Sequence, residues 1–266
     1  MIPAQRRAVI MEYLRQHGAA SVQALCEAVG ASESTMRRDL DWLSAHSHIE
    51  RSHGGATLTT YPRSTFEPEA AISAHTAANE KRAIGAAAAE LVRPGQSVIF
   101  DSSSTVHAAA AVIAERQIPI TAVTNDLAIA RTLSETESIR VIVLGGTIRR
   151  GSNTLTGEPG EDYIGSLHAD LALLGAHRVA GGRLTETSPE VARMKRGMIA
   201  CARQTVLLVD STKFRAPAFA TICGITEIDR VITDQGASGE VISDLAEAGV
   251  DVMTVAVSSD RGGPDG

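Results

Sequence analysis

The chain has 266 residues, 44% of them hydrophobic and 21% charged, a length and composition that favour a folded protein with one small and one large domain over a disordered one. Its formal net charge of −6 argues against a protein that coats nucleic acid or an acidic membrane along its whole length. Cys26, Cys201 and Cys223 are scattered and without C-x-x-C spacing, so they read as small hydrophobes of a reducing compartment. With no leading signal pattern and no apolar run of membrane-spanning length, a cytoplasmic location and no membrane partner are expected.

Charge is unevenly distributed. Residues 1–60 hold six arginines against six acids and are formally neutral, while the rest of the chain carries the whole deficit. DNA binding would therefore depend on locally placed arginines.

In chain order, Val9, Ile10, Tyr13 and Leu14 recur at helical spacing before His17-Gly18. Ser21 can cap a second helix carrying Val22, Leu25, Cys26 and Val29, closed by Gly30. Ser32 can cap a third, whose Met36, Leu40 and Leu43 form an apolar stripe at i, i+4 and i+7. IERSHGGATLTT then has short β-type runs around a Gly-Gly turn, as in a small wing. These elements define a domain over residues 1–58, and the two prolines and weak periodicity of 59–74 make that stretch a linker.

From 75 to 257 helix-like and strand-like stretches alternate. AHTAANEKRAIGAAAAELV is a helix; SVIF, IPITAV, IRVIVLGG, ADLALLGA, TVLLVD, IDRVITD and VDVMTVA are apolar runs. Helix-like stretches at 105–116, 126–134, 188–203 and 239–248 separate them, which predicts an α/β domain with a buried parallel sheet and a ligand at the carboxyl ends of its strands. The tail, 258–266, reads as disordered.

Opposite the Met36/Leu40/Leu43 stripe lie Glu33, Ser34, Arg37, Arg38 and Asp41. Hydroxyls and arginines near a helix N-terminus suit phosphates and base edges in a major groove. The alternative is a solvated face on which Glu33 and Asp41 pair with the arginines. His46, His48 and His53 lack a carboxylate or cysteine at ligand spacing, so solvent or phosphate is their expected partner and no metal is expected.

SVIF runs into Asp101, Ser102, Ser103, Ser104 and Thr105 and then into a helix. Hydroxyls, exposed N–H groups and a helix N-terminus suit a phosphate, although an ordinary capped turn has the same residues. Other strand ends offer Thr124 and Asn125, then Gly145, Gly146 and Arg149, then Asp210 and Lys213. Glycine admits close backbone approach, Arg and Lys neutralise phosphate, and Asn or Asp bonds sugar hydroxyls.

The segment RRAVIMEYLRQHGAASVQALCEAVGASESTMRRDLDWLSAHSHIERSHGGA resembles the DNA-binding domain of the DeoR family of sugar-metabolism repressors, most specifically in S-x-x-T-M-R-R-D-L and HGGA. The resemblance implies a winged helix-turn-helix reading double-stranded operator DNA, with Ser32, Ser34, Thr35, Arg37 and Arg38 at the groove and His53 and Gly54 in the wing. FDSSST, VTND, LGGTIR, DLALLGA, TETSPEVARMKRGMI and LLVDSTKF followed by IDRVITD resemble the family's effector domain, which is similar in fold to ribose-phosphate isomerase and glucosamine-phosphate deaminase. That resemblance implies phosphate at Ser102 to Thr105, sugar contacts from Asp101, Asn125 and Glu190, and a basic role for Lys213. The chain departs from the family pattern at His46-Ser47-His48, at the all-serine first loop, and at GAHRVAGGRL, where the family usually has G-x-d-G-x-x-x-G.

The expected function is a transcriptional regulator, a repressor of a carbohydrate operon relieved by a phosphorylated sugar, acting as a homo-oligomer and needing no cofactor. The alternative is isomerase or deaminase chemistry retained in the larger domain, with Asp101, Glu190 or His107 moving a proton. An activator, or an architectural DNA-binding protein without a ligand, is the third class.

Overall fold

The structure is a computed structural model describing residues 1–45, 48–52, 54–58 and 70–257, and it divides into two units, Met1–Ala78 and Asn79–Gly266. His46, Ser47 and His53, most of the expected linker and the tail from 258 onward lie outside the described residues.

The first unit runs α1 (Pro3–His17), β1 (Ala19–Ser21), α2 (Val22–Val29), α3 (Glu33–Ala45), β2 (Ile49–Ser52), β3 (Gly55–Leu58) and α4 (Ala70–His75). The two expected caps form. Ser21 Oγ accepts from the Ala24 N–H, and Ser32 Oγ accepts from the Thr35 N–H at the start of α3. Met36, Leu40 and Leu43 are wholly buried and meet Ile10, Leu14 and Leu25 in one core. Burial of this kind stabilises by about 1.5–3 kcal/mol per large side chain.

Two features go beyond the sequence expectation. The wing is three-stranded, in the antiparallel order β1-β3-β2, because three residues ahead of α2 join it. A Cβ on Gly55 would stand 2.1 Å from the Ala20 carbonyl oxygen, so the β1–β3 approach requires glycine there. Second, residues 70–74 of the expected linker belong to α4, whose Ile72 is buried in the core of this unit. A helix of six residues is too short to present a period.

The second unit holds α5 (Ala78–Ala89), β4 (Ser97–Phe100), α6 (Ser104–Glu115), β5 (Thr121–Thr124), α7 (Leu127–Ser134), β6 (Arg140–Val143), β7 (Thr147–Ile148), β8 (Leu155–Thr156), α8 (Gly160–Ile164) and β9 (Leu171–Leu174). It continues with β10 (Arg178–Ala180), β11 (Arg183–Glu186), α9 (Pro189–Cys201), β12 (Thr205–Leu208), β13 (Ala220–Gly224), β14 (Arg230–Asp234), α10 (Gly239–Glu247) and β15 (Asp251–Val255). All seven apolar runs become strands of one parallel sheet, ordered β15-β14-β12-β9-β4-β5-β6.

Its two faces bury separate cores. One packs Ile84, Val106, Ala109, Ile113 and Ile129 from α5, α6 and α7; the other packs Val179, Leu184, Met194, Met198 and Ile222 from α9 and a small antiparallel sheet β10-β11-β13. The alanines of α5 and α6 are a packing device. A Cβ on Gly85 would come within 2.7 Å of the Ala109 nitrogen, so these helices touch nearly backbone to backbone.

From β4 the chain moves outward through β5 to β6, then returns to β9 on the other side of β4 and moves outward again through β12. The connections leaving β4 and β9 therefore diverge, which opens a crevice at their carboxyl ends.

Candidate functional site

At the end of β4, Asp101 is wholly buried. Its Oδ2 accepts from the Gly175 N–H at 2.9 Å and from Lys195 Nζ at 2.7 Å. Lys195, rooted in α9, also donates to the Gly175 carbonyl at 2.7 Å and stands 2.8 Å from Glu186 Oε1 on β11. Burial alone would lower the Lys195 pKa, but the Asp101 and Glu186 carboxylates outweigh it and raise it, so the ammonium stays charged. The triad ties β4, β9, β11 and α9 into one rigid floor. Asp101 Oδ1, Ser102 Oγ and Asn125 Oδ1 are buried at the ends of β4 and β5 and have no hydrogen-bond partner among the described residues. Such atoms carry a desolvation cost that a hydroxylated ligand would remove.

Within the serine run the hydroxyls have different duties. Ser103 Oγ caps α6 by accepting from the Val106 N–H at 3.1 Å, so the capped-turn reading holds for this residue. Ser104 and Thr105 occupy the first turn of α6, where N–H groups are free to face an anion. Gly175 lies against this loop, since a Cβ there would meet Ser103 at 2.5 Å.

Thr124 and Asn125 follow β5. The Thr124 hydroxyl donates to the Phe100 carbonyl at 2.7 Å and accepts from the Asp126 N–H at 3.1 Å, which spends it on aligning the β4 and β5 ends. Asn125 Nδ2 donates to the Leu155 carbonyl at 3.0 Å, which aims Oδ1 elsewhere. Gly145 and Gly146 are required by packing: added Cβ atoms would meet Pro159 Cγ at 3.0 Å and the Thr156 carbonyl oxygen at 2.5 Å. Arg149 is half-buried, and its charge reaches both His177 and Glu190.

Around β12, Asp210 is buried and caps the turn Ser211–Lys213 by accepting from the Thr212 N–H at 3.1 Å. Burial would raise its pKa, but Lys213 and Lys81 together with Thr212 hold it below the usual range. Lys81, buried on α5, is lowered to about 8 by burial and by the neighbouring Lys213 charge. His177, just past β9, is pushed down to about 2 by burial and by Arg178, Lys213, Lys195 and Arg149. Strand ends from both halves of the sheet thus gather five cations, Lys81, Arg149, Arg178, Lys195 and Lys213, around the three buried carboxylates of Asp101, Glu186 and Asp210. Glu190 lies exposed at the start of α9, where Ser188 Oγ donates to it at 2.5 Å; that bond is the leading cause of its lowered pKa. His107 instead bonds Thr132 at 2.9 Å, linking α6 to α7.

Ser32, just ahead of α3, and Ser34, Arg37 and Arg38 on it are exposed, and Thr35 is half-buried. Arg37 pairs with Glu33, as the solvated-face alternative anticipated, whereas Asp41 pairs with Arg51 of β2 at 2.7 Å and so joins helix to wing. An exposed pair of this kind is worth only about 0.3–0.5 kcal/mol and is readily exchanged for a phosphate. Arg38 makes no ion pair among the described residues. Arg6 and Arg7 instead serve the fold: Asp39 accepts from them at 2.5 and 3.0 Å, and the Arg7 guanidinium lies 3.9 Å from the centroid of the Trp42 ring. The Gly54 carbonyl accepts from the Val22 N–H at 2.9 Å, seating the wing turn on the start of α2.

Lys81, His177, Arg178, Glu186 and Lys195 were not among the expected site residues. The two lysines did leave a signal. Lys195 falls on the same face of α9 as Val191, Met194 and Met198, and Lys81 on the same face of α5 as Ile84 and Ala88. A lysine within an apolar stripe implies a buried partner.

Comparison with known proteins agrees with this division. A model of the DeoR-like helix-turn-helix domain matches residues 6–61, and one of the DeoR C-terminal sensor domain matches 76–235. A putative aga operon transcriptional repressor of Escherichia coli O157:H7 is 31% identical over 94% of this chain and 93% of its own. The HTH-type transcriptional repressor GlcR of Bacillus subtilis is 31% identical over 95% and 96%, and the glycerol-3-phosphate regulon repressor of Escherichia coli 33% over 86% and 90%. Among solved structures, ribose 5-phosphate isomerase A of Methanocaldococcus jannaschii aligns at a TM-score of 0.40 and 17% identity over 53% of this chain and 56% of that one, too slight a likeness to bear on chemistry. With both family domains matched in order and relatives aligned over most of its length, the chain belongs to the DeoR family of transcriptional regulators.

Proposed function

We propose that this regulator is a repressor that reads paired operator half-sites with α3 and the wing, and that a phosphorylated sugar at the carboxyl ends of β4, β5, β9 and β12 releases it. The observation that carries the ligand half is that Asp101 Oδ1, Ser102 Oγ and Asn125 Oδ1 lie buried together at the ends of β4 and β5 with no hydrogen-bond partner among the described residues. They suit sugar hydroxyls, with the first turn of α6, Lys213 and Lys81 taking the phosphate and Glu190 and Arg149 at the rim. Ser34, Thr35, Arg37 and Arg38 are the groove contacts, with Ser32 fixing the helix start and His53 and Gly54 at the wing. Reading two half-sites calls for a dimer or tetramer. No helix among the described residues is long and apolar enough to cross a membrane, in keeping with action on cytoplasmic DNA.

Binding rather than turnover is the better reading of the strand-end cluster. Lys195 is held protonated by two carboxylates and His177 is held neutral, so neither exchanges a proton near neutral pH. His107, bonded to Thr132, is taken up in joining two helices. The repressor names of the relatives, one of them for a glycerol-3-phosphate regulon, support the phosphorylated class of effector.

Thermal unfolding of the full chain with sugar phosphates and with the same sugars unphosphorylated tests this. A ligand that binds the native state raises the midpoint. At least one phosphorylated member should do so where its unphosphorylated partner does not; equal effects from both would remove the phosphate from the account.

A further inference from the structure

We propose that the effector carries a second anionic group besides its phosphate, a carboxylate or another phosphate, and that Arg178 is the residue that receives it. This rests on the phosphosugar reading above.

The loop leaving β9 reads Gly175-Ala176-His177-Arg178, so it carries a cation directly from the point where Gly175 meets Asp101. In the β10–β11 register Arg178 stands opposite Thr185, next to Glu186, the acid that holds Lys195. Arg178 is half-buried, and among the described residues its guanidinium makes one hydrogen bond, from Nη1 to the His177 carbonyl at 2.8 Å. Among the described residues no carboxylate lies within ion-pair distance of it. A guanidinium partly withdrawn from water and left with a single neutral partner is costly, and its fork of donors matches a carboxylate or phosphate bidentately.

The acids nearby are already committed. Asp101 and Glu186 share Lys195, and Asp210 is bound by Thr212 between Lys213 and Lys81. Arg178 therefore adds a positive charge that no carboxylate among the described residues answers by an ion pair, apart from Lys213, Lys81 and the α6 terminus, which take the phosphate in the reading above. Arg178 itself registers that excess, since burial and then the neighbouring Arg215 charge lower its pKa, with Asp210 and Glu186 pulling it back. His177 registers it too, with Arg178, Lys213, Lys195 and Arg149 all acting against its protonation. A ligand with one anionic group would leave the Arg178 side of this field unanswered.

Isothermal titration of the full-length protein decides the matter with ligand pairs of equal carbon number: ribose 5-phosphate against 5-phosphoribonate, and glucose 6-phosphate against 6-phosphogluconate. Fructose 1,6-bisphosphate against fructose 6-phosphate, and inorganic phosphate, complete the set. We expect a phosphorylated acid or the bisphosphate to bind at least about tenfold more tightly than its aldose or ketose monophosphate counterpart, as one charge-assisted contact allows. A preference for the acid assigns the second group as carboxylate, and a preference for the bisphosphate as phosphate. In Arg178→Gln the preference should shrink to within about threefold, and Arg178→Lys should restore part of it, because the charge returns without the fork. An undiminished preference in Arg178→Gln would overturn the assignment to this residue; if that variant fails to fold, the wild-type comparison decides the second anion and Arg178→Lys decides the residue, an undiminished preference there overturning it. Monophosphates of neutral sugars binding as tightly as the acids and the bisphosphate would overturn the second anion and leave the phosphosugar reading standing. Binding of none of these phosphates would overturn both.

Discussion

Lys195 Nζ lies 2.7 Å from Asp101 Oδ2 in the interior of the sensor unit, with the two side chains 2% and 0% exposed. Because Oδ2 is taken by this ammonium and by the Gly175 N–H, the other carboxylate oxygen is fixed in place and left for a ligand. One buried ion pair thereby sets both the floor of the crevice and the direction in which it can accept a hydrogen bond.

Lys195→Met removes the cation shared by two buried carboxylates, Asp101 and Glu186. Uncompensated buried charge costs about 3–5 kcal/mol, so chemical denaturation should show a loss of that size in the larger unit. Glu186→Gln, which leaves Asp101 paired, should cost clearly less. A Lys195→Met protein as stable as wild type would mean the triad is not the fixed floor described above.

Ser102→Ala deletes a buried hydroxyl that has no hydrogen-bond partner among the described residues. Its removal should leave the unfolding midpoint unchanged or slightly raised, while effector affinity falls by about 1 kcal/mol, or roughly fivefold. A lowered midpoint with undiminished affinity would give Ser102 a structural role instead. Ser103→Ala should behave in the opposite sense, since its hydroxyl caps α6 and its loss costs about 0.5–2 kcal/mol of stability.

His177 has a folded pKa of about 2 against an ordinary 6.5, chiefly through burial and then the charge of Arg178. The unfolded chain takes up a proton near 6.5 that the folded state refuses, so stability is full above that pH. It falls as pH drops from 6.5 toward 2, by about 2 kcal/mol at pH 5. Denaturation of wild type and His177→Gln between pH 8 and 5 should show the difference in slope from this one residue. Parallel curves would place the imidazole in solvent.

Arg38 and Arg7 should separate reading from folding. Arg38→Ala, at an exposed position without an ion pair among the described residues, should weaken operator binding by about 1–3 kcal/mol at constant salt if it meets a base, and leave stability intact. Arg7→Ala breaks a bond to buried Asp39 and a stacking contact with Trp42, so calorimetry should register a lowered unfolding midpoint for the first unit. An unchanged operator affinity for Arg38→Ala would turn that side of α3 toward solvent.

The central architecture was legible because strands buried on both faces must be apolar throughout. SVIF, LALL and TVLL leave no alternation to misread, and each is a central strand. Short strands left no such mark. β1 is three residues beside a helix cap, and β10 turns through Gly181-Gly182 into β11, so both passed as loop.

In the site, residue type identified hydroxyls and charges but not their commitments. Thr124 and Ser103 look like ligand groups until the Phe100 carbonyl and the Val106 N–H are seen to use them. Gly145 and Gly146 do signal a close approach, but the approaching groups are Pro159 and the Thr156 backbone. The buried lysines were missed because a helix-forming residue in an apolar stripe does not disturb the period that reveals the helix.

The most direct test of the whole account is operator affinity measured with and without effector. Full-length protein is titrated against a duplex selected from a random-sequence pool, in the presence of each phosphosugar and each unphosphorylated counterpart. Binding should be tight in their absence and fall at least about tenfold with one phosphorylated compound alone, since a ligand shifts the equilibrium only by its preference for one state. A phosphosugar that binds the protein at the strand ends yet leaves operator affinity unchanged would contradict it.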